Sequence, residues 1–208
     1  MKHEATTVEA ATAPRRELYK EQTRLDLALA AFELAKSEGL AAVRVPQIAA
    51  AVGVSPRTFN NYFASKEQAI AWLAGRHAAG TASLLRERPG GEPLGPALVE
   101  AVLGQYRPAR EDGLPPHWLR DFRALVAREP ALHGEYLTAM ASAERDVGDA
   151  IIERVPSLSP LRARVIAAMV AGAERAAVMH WMNTRSGALT ATVREAVEQA
   201  VAGMDQML

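Results

Sequence analysis

Residues 45–63, VPQIAAAVGVSPRTFNNYF, constrain the fold of this chain more than any other stretch. Two short segments with helical spacing of apolar residues meet at Gly53, where a tight turn needs a positive φ. Ser55 is suited to cap the second segment through its hydroxyl, and Pro56 suits a first helical position, which needs no amide hydrogen. The stretch therefore predicts a helix-turn-helix, in which two short helices cross closely.

The apolar and polar residues of this stretch divide between two faces. The residues predicted to hold the two helices together are Ile48, Val52, Val54, Phe59 and, at the crossing, the small Ala49. With Phe59 turned inward at about 100° per residue, Arg57 and Asn61 point outward. Thr58 and Asn60 flank them. Arginine pairs with guanine and asparagine with adenine in the major groove, so these four outward residues are predicted to read bases.

Two residues beside the outward face are suited to phosphate contacts. Tyr62 lies at the edge of that face. Lys66 opens the following helix, whose free N–H groups and dipole favour an anion. Ser65 and Gln68 mark the start of that helix, because a serine with glutamine three positions later forms a capping box.

The rest of the chain is predicted to form helical segments that glycine and proline separate. The predicted helices cover residues 16–37, 45–52, 56–62, 66–88, 96–106, 116–128, 131–154, 160–184 and 189–207. No segment shows the sustained alternation of a strand. The predicted fold class is all-α with about nine helices, preceded by a disordered arm over residues 1–14, which are small, polar and aperiodic.

Composition and motifs argue against several other classes of protein. The chain has no cysteine, which rules out disulfides and thiolate metal sites. The nine-residue apolar run at 165–173 is too short to span a bilayer, and the N-terminus has no secretory pattern. Di-iron, HExxH, GxSxG and GxGxxG motifs are absent, and the five histidines lack ligand spacing. We expect a soluble cytoplasmic protein without catalytic residues, metal or cofactor.

The block from Glu17 to Leu73 resembles the TetR family of transcriptional regulators. The resemblance lies in the first helix and in two stretches, GLAAVRVPQIAAAVGVS and TFNNYFASKEQAI. It implies a three-helix DNA-binding domain over residues 15–64 and a larger helical domain for ligand binding and dimerisation over residues 65–208. The implied protein is a ligand-responsive repressor that binds a palindromic operator on double-stranded DNA as a dimer.

Two positions depart from the family pattern. Arg44 stands before the second helix, where the family often has a threonine or serine that caps the helix and touches phosphate. We assign Arg44 to a phosphate contact in its place, and Ser55 to another. Asn60 stands where the family often has a tyrosine. This leaves open whether Asn60 reads a base or removes one phosphate contact.

The resemblance also implies a small-molecule effector. Family members usually sense a small, often apolar or aromatic molecule between their middle helices, where five of the eleven aromatics of this chain fall. The candidate pocket residues are Tyr106, Trp118, Phe122, Tyr136, Met140 and Trp181. The polar candidates beside them are His77, His133, Arg123 and His180.

A partner copy of the chain is implied as well. The helices at 160–184 and 189–207 are expected to pair with their copies in a homodimer. Their apolar stripes contain Val165, Met169, Ala173, Ala176 and His180, and Val193, Val197, Ala200, Met204 and Leu208. Packing within one chain is the other explanation for such a stripe. A two-fold dimer would match the symmetry of a palindromic operator.

Two alternatives remain open. Formal net charge is zero, and residues 15–66 hold only eight lysines and arginines against five acids. A helical small-molecule-binding or scaffold protein without DNA affinity is therefore one alternative. A helical enzyme is the other, although no catalytic constellation is present. The sequence does not specify the effector, the operator, the regulated genes, or whether the protein represses or activates.

Overall fold

The computed structural model describes residues 4–106, 113–115, 118–184 and 186–203. Across these residues it contains nine helices and no strand, which confirms the all-α prediction. The helices are α1 Glu4–Glu38, α2 Val45–Val52, α3 Pro56–Asn60, α4 Lys66–Glu87, α5 Leu94–Gly104, α6 Trp118–Arg128, α7 Pro130–Arg154, α8 Pro160–Thr184 and α9 Leu189–Ala202.

The chain folds into two compact units. The first contains the described residues up to Leu73 together with Gly113–Glu135, and the second contains the remaining described residues. The first unit thus holds α1, α2, α3, the first two turns of α4, α6 and the start of α7. α4 continues without interruption into the second unit.

Buried aromatic rings form the core of the first unit. Phe32 of α1 and Phe122 of α6 have ring centroids 6.4 Å apart, and Trp118 lies 5.8 Å from Phe122. A separate pair joins Phe59 of α3 to Phe63, at 5.8 Å. α6 therefore packs on α1 in the same unit that carries α2 and α3, although it is distant from them in sequence.

The second unit packs α9 against both α5 and α8. α5 is buried along almost its whole length, as the predominance of apolar residues in LGPALVEAVLG predicts. At the surface, Arg86 of α4 forms two hydrogen bonds to Glu153 of α7, at 2.7 and 2.9 Å. These bonds lower the pKa of the Glu153 carboxyl, because they stabilise its charged form.

Several helix ends differ from those expected from sequence, and two of them have a local explanation. α1 begins at Glu4, where the sequence predicts a disordered arm over residues 1–14; the alanine-rich residues 4–13 contain good helix formers and no glycine. α3 ends at Asn60, because the N–H of Tyr62 bonds to the carbonyl of Phe59 in a tighter turn, at 2.9 Å. The end of the last predicted helix, from 204, lies outside the described residues.

The turn at Gly53 provides a test of the fold. Gly53 has a φ of 74°, and no atom lies within 4 Å of a Cβ added there. Gly53→Ala is expected to lower the free energy of unfolding by about 1–2 kcal/mol, from left-handed backbone strain alone. Gly134→Ala, in α7, also meets open space and is expected to raise it by about 0.5–1 kcal/mol.

Urea unfolding followed by tryptophan fluorescence checks both variants. Two of the three tryptophans, Trp72 and Trp118, lie in the same unit as both glycines. A shift of the same sign for the two variants would contradict the explanation from backbone geometry.

Candidate nucleic-acid interface

Gly53 makes the turn between α2 and α3. The N–H of Gly53 bonds to the carbonyl of Ala50, at 3.1 Å, and its left-handed conformation turns the chain so that the N–H of Val54 bonds to the carbonyl of Ala49, at 2.9 Å. These two bonds satisfy carbonyl groups at the end of α2. Ala49 is fully buried, as expected for the small residue where two helices cross. The geometry is that of the predicted helix-turn-helix.

α3 is held in place from its start and from its inner side. The Ser55 hydroxyl accepts a hydrogen bond from the N–H of Thr58, at 3.1 Å, and Pro56 occupies the first helical position. Phe59 is fully buried and Phe63 nearly so. The helix is therefore fixed by the serine cap and the inward phenylalanine that the sequence predicts.

The residues predicted to read bases lie on the outer side of α3 and at its end. Arg57, Asn60 and Asn61 are exposed, and Thr58 is partly buried. The Thr58 hydroxyl lies 2.9 Å from the Ser55 hydroxyl, so these two side chains share a hydrogen bond. An exposed arginine and two exposed amides can present the hydrogen-bonding groups that base edges in a major groove require.

The residues predicted to contact phosphate fall into two groups. Tyr62 is half-buried beside Asn61, and Ser55 lies at the exposed start of α3. Arg44 is exposed, and its guanidinium donates back to its own loop, to the carbonyls of Ala42 and Val43 at 3.1 and 3.2 Å.

The start of α2 has no hydroxyl cap, yet it has a side-chain partner. Gln47 accepts a hydrogen bond from the backbone N–H of Arg44, at 2.7 Å. This is the glutamine half of a capping box, and it fixes the chain where it enters α2.

Lys66 directs its ammonium group at the same loop. Its Nζ donates to the carbonyls of Leu40 and Val43, at 2.6 and 2.8 Å, and only 17% of its side chain is exposed. These carbonyls follow α1 and precede α2, so the lysine joins the start of α4 to the α1–α2 connection. The structure therefore gives this residue a backbone contact that the sequence did not predict.

Arg24 makes a second set of contacts that the sequence did not indicate, with two aromatic rings. Its guanidinium carbon lies 5.4 Å from the ring centroid of Phe63 and 4.9 Å from that of Trp72. These are cation–π distances, and the rings of Phe63 and Trp72 are themselves 6.0 Å apart, edge to face. α1 is thereby tied to the end of the helix-turn-helix and to α4.

A groove of about 390 Å³ lies between α1 and the outward end of α3. Its α1 side consists of Arg16, Tyr19, Lys20 and Thr23, and its other side of Thr58, Asn61 and Tyr62. No function was predicted from sequence for the residues on the α1 side. The spacing of these four residues, at i, i+3, i+4 and i+7, was the available signal, since it places them on one helix face.

The second unit contains four of the six predicted pocket residues, and polar contacts surround one of them. The Tyr106 hydroxyl donates to the Glu174 carboxylate at 2.6 Å, and the ring of His77 meets Tyr106 edge to face at 5.7 Å. Gln105 and Thr81, both buried, are hydrogen-bonded to each other. α4, the turn that follows α5, and α8 thus bring polar groups together within a mainly apolar unit.

The remaining pocket candidates have different surroundings. Tyr136 is buried and Met140 partly buried in α7, while the Trp181 indole donates to the carbonyl of Gly187, at 3.0 Å. Trp118 and Phe122 lie in the first unit, in the aromatic core against α1. Of the polar candidates, His133 and His180 are exposed, and Arg123 lies in the first unit.

The described residues present neither a metal-binding cluster nor a membrane-spanning helix. Within them, no three histidine, aspartate or glutamate side chains form a group that could hold a metal ion. None of the described helices is long and apolar enough to cross a membrane.

Two family descriptions match the chain. Bacterial regulatory proteins, tetR family, matches residues 28–70, which include α2, α3 and the turn between them. MftR C-terminal domain matches residues 92–205, more than half of the chain. The HTH-type transcriptional regulator TcmR of Streptomyces glaucescens is 32% identical over 165 residues, covering 77% of this chain and 73% of TcmR.

Solved structures share the fold. The fatty acid degradation regulator FadR of Bacillus halodurans matches with a TM-score of 0.56 and 18% identity, over 88% of this chain and 96% of FadR. A putative TetR-family regulator of Mesorhizobium loti gives 0.55 and 15% identity, over 90% and 96%. A transcriptional regulator of Rhodococcus sp. Rha1 gives 0.51 and 18%, over 88% and 96%. At these identities the likeness supports the all-α fold alone.

The helix-turn-helix, with an exposed polar side above a buried aromatic pair, is that of a DNA-binding transcriptional regulator. The chain belongs to the TetR family of bacterial regulatory proteins. This confirms the family predicted from residues 17–73. The protein is a regulator of transcription and not an enzyme, as its family and its relative TcmR indicate. Members of this family bind DNA operators and dimerise.

Lys66 provides a test of how the first unit is held together. Lys66→Met is expected to lower the free energy of unfolding by about 1.5–3 kcal/mol, because two backbone carbonyls lose a charged donor. Lys36→Met is the matched control. The ammonium of Lys36 makes ion pairs with Glu33, at 3.0 Å, and with Asp121, at 3.5 Å, and each such pair near the surface is worth about 0–1 kcal/mol. Urea unfolding followed by tryptophan fluorescence measures both.

A second measurement separates the carbonyl contact from a phosphate contact. If Lys66 acts through the backbone, Lys66→Met keeps the wild-type dependence of DNA affinity on salt. A smaller salt dependence with unchanged stability would instead identify Lys66 as a phosphate ligand.

Proposed function

We propose that this protein is a cytoplasmic repressor that binds an inverted-repeat operator as a homodimer and releases it when a small molecule binds. The observation that carries the proposal is the division of α3 into two sides. Phe59 is fully buried on the inner side, while Arg57 and Asn61 are exposed on the outer side. A short helix anchored in this way can enter a major groove without losing its packing.

Base reading is assigned to the exposed residues of α3 and its end. Arg57 is proposed to pair with guanine, and Asn60 and Asn61 with adenine, because these side chains match the donor and acceptor patterns of those bases. Thr58, which has a shorter side chain, is proposed to contact a base beside them. The amide of Asn60 is exposed, which supports a base contact at the position where the family often has tyrosine.

Phosphate contacts are assigned to residues at the edges of the same surface. Ser55 and Tyr62 carry hydroxyl groups there, which can donate to phosphate oxygens. For Arg44 and Lys66 we propose mainly an indirect contribution, since both direct their charged groups at the carbonyls between α1 and α2. They would then shape the connection that leads into the helix-turn-helix.

The proposed dimer surface is one side of α8. Leu161, Val165 and Met179 are 74, 38 and 46% exposed, and Ala168 and Ala176 are exposed with them. Their spacing of three, four and eight residues places all five on one helix face. The opposite face is buried within the chain through Ala163, Ile166, Ala167, Val170, Ala177 and Val178.

The stripe expected on α9 has a different role. Val193 and Val197 are fully buried within the chain, where α9 packs on α5 and α8. Any contribution of α9 to the dimer therefore has to come from its other faces. Burial of the exposed α8 stripe by a second copy is supported by the dimerisation of the family and by the two-fold symmetry of an inverted repeat.

The effector is proposed to bind in the second unit, near Tyr106, Tyr136, Met140 and Trp181. The Tyr106–Glu174 hydrogen bond supports a site that recognises a polar group as well as apolar surface. α4 is the proposed lever, because a single helix carries residues of both units. The effector would favour the state of the dimer in which the two reading helices are wrongly spaced for the operator.

A gel shift against an inverted repeat from the protein's own promoter region tests DNA recognition. Arg57→Ala and Asn61→Ala are each expected to remove about 1–3 kcal/mol of discrimination between the operator and single-base variants of it. Arg120→Ala, an exposed arginine of α6, is the control and is expected to retain that discrimination.

Two outcomes would contradict this assignment. Variants at Arg57 and Asn61 that bind as tightly and as selectively as wild type would argue against base reading by these residues. A wild-type protein that prefers no inverted repeat would support the alternative, a helical binding or scaffold protein without specific DNA affinity.

The dimer surface has its own test. Ala168→Glu places a charge in the exposed α8 stripe, where it remains solvated in a single chain but would be buried in a dimer. Sedimentation is expected to give a 22.4 kDa monomer for this variant and a dimer for wild type. Ala141→Glu, at an exposed position of α7, is the matched control and is expected to remain dimeric. Equal sedimentation of both variants would exclude this stripe as the interface.

A further inference from the structure

The groove between α1 and α3 has two chemically different sides. On the α3 side, Thr58 and Asn61 are proposed to read bases, with Tyr62 next to them. On the α1 side, Arg16 and Lys20 supply two positive charges, and Tyr19 and Thr23 lie on the same helix face. Among the described residues, none that lines the groove carries a carboxylate.

The charges of α1 are arranged unevenly around the helix. Glu17 and Glu21 lie about 100° and 140° from Arg16, whereas Lys20 lies within about 40° of it, at 100° per residue. Lys20 reaches Glu17 only at 3.9 Å, and both side chains are more than three-fifths exposed. Such a surface ion pair is weak and easily exchanged, so the ammonium is available to an anion in the groove.

The position of the groove identifies the anion. A base edge in the major groove lies between two sugar–phosphate backbones. Asn61 and Thr58 line the groove together with α1. A DNA strand whose bases these two residues reach therefore brings its phosphates alongside the α1 face.

The cations first expected to meet phosphate already donate to backbone carbonyls. Arg44 donates to the carbonyl of Val43, and Lys66 donates to the carbonyls of Leu40 and Val43. Arg16 and Lys20 are exposed and line the groove itself. The positive charge available beside the reading helix thus comes in part from α1.

We propose that the Arg16–Lys20 face of α1 is a phosphate-binding surface, which holds the operator backbone beside the bases that α3 reads. The proposal rests on the proposed function, since it assigns part of the same DNA interface. Arg16 and Lys20 bind consecutive phosphates, and Tyr19 and Thr23 complete the side of the groove. This surface contributes affinity and register without base preference.

The experiment measures DNA affinity as a function of salt for the full chain. Arg16→Gln and Lys20→Gln are each expected to reduce the magnitude of the slope of log K against log [salt] by about 0.9, and the double variant by about 1.8. Both variants weaken operator and unrelated duplex alike, so selectivity is retained. Both positions are exposed, so the urea midpoint is expected to match that of wild type.

Lys36→Gln is the matched control. It removes a lysine from the same helix, about 24 Å farther along at 1.5 Å per residue. Its salt slope is expected to equal that of wild type. A double variant with a wild-type slope would overturn the proposal while leaving the regulator assignment intact. Absence of operator preference in the wild-type chain would instead contradict the proposed function, so the two failures are distinguishable.

Discussion

A helix of five residues cannot hold its shape through its own hydrogen bonds, because helices shorter than about 12–15 residues are marginal in water. α3 therefore depends on the residues beneath and before it. Phe59 and Phe63 anchor its inner side, Ser55 satisfies an amide at its start, and the left-handed Gly53 sets its direction. Every outward side chain proposed to read bases takes its position from these contacts. Recognition by α3 consequently depends on its packing. A substitution that loosens the buried side of the helix also displaces the side chains proposed to read bases.

The helix-turn-helix was predictable because its determinants act over short distances. The glycine turn, the serine cap and the proline at the first helical position each involve residues within a few positions, and the structure has all three. Long-range contacts were not predictable in this way. Lys66 donates to a carbonyl 26 residues earlier, and Phe122 packs on Phe32 of a helix far away in sequence. Sequence reasoning assigned Lys66 to phosphate and Phe122 to a pocket because the residue types suit those roles, and nothing local indicates the partners they have in the fold.

Helical periodicity identifies an apolar stripe without indicating what covers it. On α9, the stripe with Val193 and Val197 fits a partner surface as well as a core, and the chain itself buries it. α8 carries apolar residues on two opposite sides, of which its own chain covers only one. The exposed side includes Val165, which the sequence also placed toward a partner. Because the chain itself buries the α9 stripe, that stripe is no longer a candidate interface. The α8 stripe remains a candidate, but its exposed residues lie on a face rotated around the helix from the predicted one.

Net charge sets a further constraint on how this protein recognises DNA. A formal net charge of zero provides no long-range field toward a polyanion, so cations placed locally have to supply the phosphate contacts. In the first unit, Arg44 and Lys66 donate to carbonyl groups of the connection into α2, whereas Arg16 and Lys20 line a groove whose described residues carry no carboxylate. The cations that shape the loop and those proposed to meet DNA are therefore different residues. A lysine or arginine beside a helix-turn-helix is not a phosphate ligand by position alone, because the acceptor that its charged group already has determines what it can bind.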